Sequence, residues 1–249
     1  MKRAILFLMC HFSMLAWLAG QGTAFALKGG LTMGVQKING FQQDPLFKYH
    51  GIFSMESLSD ESSFAIFGQL GFHRKGSAIR NRNFTVFGGN GEVFRPPTYE
   101  FIYNNLSLTI GGKKYFGNTG PNAKPYYMFG LRGDYTLTTN LGKYDEINKS
   151  IGNGTISSLF FPSNDFVRKL NYGITLGGGI EVPFGELIGG QIEITVNPDF
   201  SAQYRQPGFT GYNPITGNND RIYPERITRN LTFEITAGFR FLRKVEYVD

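Results

Sequence analysis

Apolar or aromatic positions alternate with small or polar ones in segments of roughly ten residues that recur along the chain. In the clearest segment, alternate residues from Leu231 to Phe241 are apolar, and the residues between them are Asn, Thr, Glu, Gly or Arg. A period of two places successive side chains on opposite faces of a β-strand. The pattern predicts eight strands, at about 28–37, 49–57, 63–75, 99–113, 127–137, 172–182, 188–196 and 231–241.

The connections between these predicted strands are alternately long and short, at about 11, 5, 23, 8, 30, 5 and 30 residues. Tight turns at one end and long loops at the other are typical of antiparallel up-and-down barrels that cross the outer membrane. With eight strands, both termini lie on the same side of the membrane, which is predicted to be the periplasmic side. A further hairpin, with 84–87 and 93–94 as its arms, would extend the barrel or raise the strand number to ten.

The alternation alone leaves open which face points inwards, because a soluble barrel has the same period with its apolar residues inside. Lysines are predicted only at strand ends, at Lys28, Lys37, Lys75 and Lys113, and the polar positions between are mostly Gly, Thr, Ser and Gln. A water-facing exterior would carry charges along whole strands. The pattern therefore favours a polar, narrow lumen and an apolar face towards lipid, with aromatic residues near its edges.

The first 26 residues are predicted to form a cleaved signal peptide, which leaves 27–249 as the outer-membrane barrel domain. Lys2 and Arg3 precede an apolar stretch that ends near Ala24-Phe25-Ala26, a small-residue cleavage site. The chain's one cysteine, Cys10, leaves with this segment, so thiol chemistry is not expected in the mature chain. No run of 18 apolar residues follows, so membrane insertion requires a closed barrel.

Composition agrees with this fold class. The chain of 249 residues contains 33 glycines, 15 % aromatic residues and 18 % charged residues, which is unlike a disordered chain or a bundle of membrane helices. The formal net charge of +6 is spread along the sequence, so no nucleic-acid partner is predicted.

Three segments carry a resemblance to a known family: Gly71-Phe72-His73-Arg74-Lys75-Gly76, Asn104-Asn105-Leu106-Ser107-Leu108, and the final strand ending Phe239-Arg240-Phe241. The chain resembles the small outer-membrane β-barrel proteins of the Bacteroidota, including the PorT-like group. The resemblance implies an envelope role linked to type IX secretion and no catalytic motif. The chain departs from it by continuing beyond Phe241, so Phe241 and Tyr247 are alternative aromatic signals for the insertion machinery.

The charged residues assigned to the lumen form a candidate network. An eight-stranded barrel is only wide enough for side chains, so these charges are expected to pair with one another rather than to catalyse a reaction or bind a metal. Arg132 is expected to bind Glu193, Glu234 or both, and Lys75, water or protonation of a carboxyl group must balance the excess of acids. The predicted network consists of Glu56, Arg132, Asp134, Glu181, Glu193, Glu234 and Arg240.

Three classes of function follow from these features. The first is a non-enzymatic structural or assembly protein of the outer membrane, with lipid, lipopolysaccharide and other envelope or secretion proteins as partners. The second is a narrow pore or uptake protein. The third is a lipid-modifying hydrolase, for which His73 and Ser77 are the available pair. No catalytic residue, metal ligand or cofactor is predicted.

Overall fold

A computed structural model describes residues 22–37, 43–58, 63–80, 86–87, 93–94, 98–116, 123–145, 161–211, 216–218 and 220–244. Each long strand pairs antiparallel with the next along the chain, and the first pairs with the last from Gly22–Lys244 to Lys37–Arg229. The sheet is thereby closed, and the predicted eight-stranded antiparallel barrel is confirmed. Its strands are β1 (Gly22–Lys37), β2 (Asp44–Leu58), β3 (Phe64–Ile79), β4 (Tyr99–Tyr115), β5 (Lys124–Thr139), β6 (Leu170–Pro183), β7 (Ile188–Pro198) and β8 (Arg226–Lys244).

The connections between strands are short at one end of the barrel and mostly long at the other. The short-turn end carries 59–63, 116–123 and 184–187, and the long-loop end carries 38–43, 80–98, 140–169 and 199–225. The first connection is shorter than predicted because β2 begins at Asp44. Leu46 points inwards and Phe47 outwards, so two adjacent apolar residues interrupt the alternation that marks the strand in the sequence.

Five short strands lie at the long-loop end, two pairs of which form hairpins while the fifth pairs with β8. Val86–Phe87 pairs with Val93–Phe94, which confirms the predicted hairpin but keeps it separate from the barrel sheet. Tyr204–Gln206 adds to the start of β8, and Phe209–Gly211 pairs with Arg221–Tyr223. Within the described residues, no helix is long and apolar enough to cross a membrane.

β1 begins inside the predicted signal peptide. Cleavage after Ala26 would remove five residues, Gly22 to Ala26, that pair with both β2 and β8. The cleavage site remains a prediction. Tyr247, one of the two candidate terminal aromatic residues, lies outside the described residues, whereas Phe241 pairs with Ile188 and Phe25 within the sheet.

The apolar face of the barrel points outwards. Leu31 and Ile235, which pair across the β1–β8 seam, are 63 % and 61 % exposed, whereas the neighbouring pair Thr32 and Glu234 is 0 % and 3 % exposed. The same contrast holds around the barrel, where Tyr127, Phe129, Leu131 and further aromatic or aliphatic side chains cover the outer surface. An exterior of this kind is suited to lipid rather than to water.

β1 and β3 are separated by β2 in the sheet, yet their backbones meet near the long-loop end. A Cβ atom added to Gly34 would lie 2.4 Å from the carbonyl oxygen of Gly76, which itself has a φ of +149°. The pairing of β2 with β3 is interrupted at this height, between Pro45 and His50. The close approach therefore depends on the absence of a side chain at position 34.

A Gly34→Val substitution is expected to lower the free energy of unfolding by about 1 to 3 kcal/mol, because the added atoms must displace backbone. Gly51→Val is the matched control, since a Cβ at Gly51 meets nothing within 4 Å. Urea-induced unfolding in detergent micelles measures both. Equal stability of the two variants would contradict the close approach of β1 and β3.

Candidate functional site

The lumen is the place where the chain concentrates its ionisable side chains. Every one of the eight strands contributes at least one, because alternate positions of each strand point inwards. Of the seven residues predicted from the sequence, six are buried in the lumen, and Arg240 is partly exposed near the short-turn end. The structure also brings in charges that the prediction left out, and it arranges them in three layers.

The layer nearest the short-turn end is centred on Lys113. The Lys113 ammonium group pairs with Glu56, and it lies 3.4 Å from Glu193 Oε1 and 3.5 Å from Glu181 Oε1. The same ammonium group lies 4.4 Å from the centre of the Tyr126 ring. One buried cation thus holds three carboxylates from different strands.

The same layer contains two further cations that complete its charge balance. Lys28 Nζ lies 2.8 Å from Glu193 Oε2, and Arg240 lies 3.4 Å from Glu181 and 3.7 Å from Glu56. The Tyr126 hydroxyl donates to Glu193 Oε1 at 2.6 Å. Together with Lys113, these contacts balance the charge of carboxylates that would otherwise be costly to bury.

The layer nearest the long-loop end is built around Asp134. Its carboxylate accepts from Lys75 Nζ at 2.6 Å and from Arg132 Nε at 3.0 Å, and Lys75 also lies 3.2 Å from Asp199 Oδ1. Of the two expected partners of Arg132, the structure provides Glu234, whereas Glu193 is bound by Lys28 and Lys113. Arg132 comes within 4.0 Å of Glu234 and binds Asp134 on its own strand.

Between these two layers lies a cluster of two histidines and a carboxylate. His73 Nδ1 is 2.8 Å from Glu234 Oε1, and the rings of His50 and His73 are stacked with their centres 5.3 Å apart. His50 bonds the hydroxyl of Thr32 through Nδ1 and the hydroxyl of Thr236 through Nε2, both at 2.9 Å. We call His50, His73 and Glu234 the histidine cluster.

The described side chains leave little space among the three layers. One void of about 10 Å³, close to the room that a single water molecule needs, lies beside the histidine cluster. Its walls include His73, Arg132, Glu193 and Glu234, and also Gln69, whose buried Nε2 has no hydrogen-bond partner among the described residues. The lumen is therefore a packed polar core rather than an open channel.

The mouth at the long-loop end is covered as well. An apolar cluster of Phe101, Tyr103, Leu141, Tyr144 and Phe161 is buried there. The segment after β7 folds over the adjacent part of the mouth, where Gln203 Nε2 donates to Thr136 at 2.7 Å. Burial raises the pKa of Tyr204 to about 12, so its hydroxyl stays protonated at neutral pH and donates to Gln206 Oε1 at 3.0 Å.

The predicted position at a strand end was wrong for two of the four lysines, Lys28 and Lys75. Lys28 lies six residues inside β1 and Lys75 four residues inside β3, because both strands extend beyond their predicted ends. Lys113 is close to the end of β4, yet its side chain reaches inwards and is fully buried. Their parity, which matches that of the neighbouring Thr, Ser and Gln residues, is the signal that would have placed all three in the lumen.

The pair proposed for a hydrolase is not brought together. His73 and Ser77 both point from β3 into the lumen of the barrel. They are four positions apart along the strand, which is a distance of about 13 Å. His73 bonds Glu234, whereas the Ser77 hydroxyl donates to Gln36 Oε1 at 2.7 Å. Each side chain has its own structural partner.

The apolar exterior and the ion-paired lumen of a closed antiparallel sheet define a barrel of the transmembrane class. No protein-family model matches the chain, and no curated protein matches it in sequence. The resemblance to the PorT-like group therefore gains no support from these comparisons.

Solved structures of small outer-membrane barrels are similar to the chain. OprG from Pseudomonas aeruginosa is 10 % identical, with 90 % of this chain and 98 % of that chain covered and a TM-score of 0.48. Neisserial surface protein A is 12 % identical over 89 % of this chain and 99 % of that chain, with a TM-score of 0.44. A major outer membrane protein from Thermus thermophilus is 13 % identical over 88 % and 99 %, with a TM-score of 0.44.

Replacing Lys113 by Met is expected to cost about 3 to 5 kcal/mol of stability, because three buried carboxylates lose their shared cation. Adding Glu56→Gln should recover part of the loss by removing one unpaired charge. Arg205→Met is the control, since Arg205 and Glu225 form an exposed pair worth about 0 to 1 kcal/mol. Urea unfolding in micelles measures the three variants, and similar losses for Lys113→Met and Arg205→Met would contradict the central role of Lys113.

Proposed function

We propose that the chain is a non-enzymatic integral protein of the outer membrane, with both termini in the periplasm, whose barrel serves as a structural or assembly component of the cell envelope. The plugged lumen carries this proposal. Because the interior is occupied by paired side chains, the parts of the molecule available to other molecules are the lipid-facing belt and the loops. The role linked to type IX secretion, which the family resemblance implies, is the most specific form of the proposal.

A narrow pore is the principal alternative, and the lumen argues against it. Ions would have to cross two ion-paired layers, the histidine cluster between them, the covered mouth and the close approach of Gly34 to Gly76. Separating buried pairs of this kind costs several kcal/mol each. Conduction would therefore require a rearrangement of the whole plug rather than the movement of one side chain.

A hydrolase is disfavoured by the environment of its proposed base. His73 is stacked on His50 and bonded to Glu234, and the void beside it is close to the size of one water molecule. Among the described residues, packed side chains surround this position and leave no path for a lipid substrate. The contacts of His73 are better explained as part of the three layers of side chains that fill the lumen.

The exposed hairpin of Phe209–Gly211 and Arg221–Tyr223 favours a protein partner on the long-loop side. The rings of Phe209 and Tyr223 are stacked 5.0 Å apart, and the Arg221 guanidinium lies 5.4 Å from the Tyr223 ring. Ile222 beside them is 80 % exposed. Aromatic, arginine and exposed aliphatic side chains in one place are typical of protein-contact surfaces.

A basic pair at the edge of the apolar belt favours contact with anionic lipid, including lipopolysaccharide. Lys37 and Arg229 are directly opposite each other across the β1–β8 seam, and both are exposed. Like charges in such a cross-strand pair repel unless an anion lies between them. Val35 and Leu231 lie two residues closer to the middle of the belt, so the pair is at the height where lipid phosphates would be.

The purified barrel is expected to give no stepwise conductance in planar lipid bilayers, because the plug leaves no continuous water path. A general porin inserted into the same membrane serves as the positive control. Steps of constant amplitude that follow the insertion of this protein would contradict the plugged state and would favour the pore alternative.

A photoreactive amino acid in place of Ile222 is expected to cross-link to a discrete protein in intact cells, because this side chain projects from the exposed hairpin. The same amino acid in place of Leu31, which is 63 % exposed within the apolar belt, is the matched control and should capture lipid. Mass spectrometry identifies the products. Capture of no protein at position 222, with the barrel correctly inserted, would contradict an assembly role on this surface, and the identity of a captured protein tests the link to secretion.

A further inference from the structure

The sheet register brings the histidine cluster to one height of the barrel wall. His50 and His73 are directly opposite each other on β2 and β3, and Glu234 of β8 is opposite Thr32 of β1. β8, β1, β2 and β3 are consecutive strands, so all three side chains project into the same part of the lumen. One imidazole nitrogen from each histidine and one carboxylate oxygen lie within 4.8 Å of one another.

Two imidazoles and one carboxylate are donors that suit a divalent ion of the zinc class. Such an ion lies about 2.0 to 2.2 Å from each donor atom, so the donors around it in a tetrahedral site are about 3.4 Å apart. The donors of the cluster, which are up to 4.8 Å apart, would each have to move inwards by about 0.7 Å to reach that geometry. Thr32 and Thr236 hold the His50 ring in place through both of its nitrogens, and one of these bonds would yield to the ion.

The void beside the cluster supplies a place for a fourth ligand. It has room for about one water molecule, and both His73 and Glu234 line it. Gln69 lines the same void with a buried Nε2 that has no partner within the described part of the chain. A water molecule bound to the ion would accept a hydrogen bond from this amide.

The charges of the lumen also favour a cation at this position. Among the described residues, six lumen carboxylates face five lysine and arginine side chains, so one negative charge is uncompensated when both histidines are neutral. Arg132, at 4.0 Å from Glu234, is already counted in this balance and bonds Asp134. The carboxylates are Glu56, Asp134, Glu181, Glu193, Asp199 and Glu234, and the cations are Lys28, Lys75, Lys113, Arg132 and Arg240.

We propose that His50, His73 and Glu234 bind one divalent ion of the zinc class, with a water molecule in the adjacent void as a further ligand. The ion joins β2 and β3 to β8 and spans the seam at which β1 and β8 close the barrel. Its role is structural, and the site is independent of any partner on the loops.

The test uses untagged barrel refolded in detergent with ZnCl₂ and passed over a desalting column. About one zinc ion per chain is expected by elemental analysis, and a zinc concentration one hundred times the Kd should raise the unfolding midpoint by roughly 5 to 10 °C. A chelator added during refolding should abolish the rise. Co²⁺ in place of zinc should give the visible absorption of a four-coordinate site.

His50→Gln and His73→Gln are expected to lose the bound zinc and the rise in midpoint. Thr175→Val is the matched control, because Thr175 lines the same void without belonging to the cluster, and it should retain the metal. Unboiled electrophoresis verifies that each variant is folded. Less than a tenth of an equivalent of zinc in the folded parent protein, or equal zinc in the parent and both histidine variants, would overturn the proposal.

Discussion

The structure depends on one constraint, which is that a charge inside a narrow barrel surrounded by apolar side chains has neither bulk water nor lipid to solvate it. Each ionisable group in the lumen must therefore find its partner within the lumen. Lys113, shared by Glu56, Glu181 and Glu193, meets this requirement at one end, and Asp134, shared by Lys75 and Arg132, meets it at the other. These pairs fix the register of strands that contribute only one or two charges each.

The same constraint assigns different tasks to the two faces of each strand. The outer face needs only to be apolar, so Leu, Ile, Phe and Tyr are interchangeable there within the limits of the belt. The inner face must match charges and volumes across the lumen, and Gly34 shows that even one methyl group is excluded where β1 meets β3. The inward-facing side chains accordingly determine which strands pair and in which register, and the outward-facing side chains determine the affinity of the barrel for lipid.

The sequence reveals the barrel because a period of two is a local property of each strand, and it reveals the inner face of residues such as Glu193 and Glu234 for the same reason. It does not reveal the partners. Glu234 lies 161 residues from His73, and Glu193 lies 165 residues from Lys28, so their contacts depend on barrel closure and on register. Lys28 was misplaced because the first predicted strand began too late, and Lys75 because the third predicted strand ended too early. Asp199 was assigned to a loop although the chain after β7 folds back into the mouth.

The distribution of the lumen charges over all eight strands has a consequence for biogenesis. A partly assembled sheet, with some strands still missing, would present carboxylates and ammonium groups without their partners to the hydrocarbon of the bilayer. Glu193, for example, obtains its cations from β1 and β4, which lie on opposite sides of β7 in the closed ring. Strands added to the membrane one at a time would each carry this penalty. The route of lowest free energy keeps the nascent sheet curled around water until β1 meets β8, and it expels that water only as the seam forms.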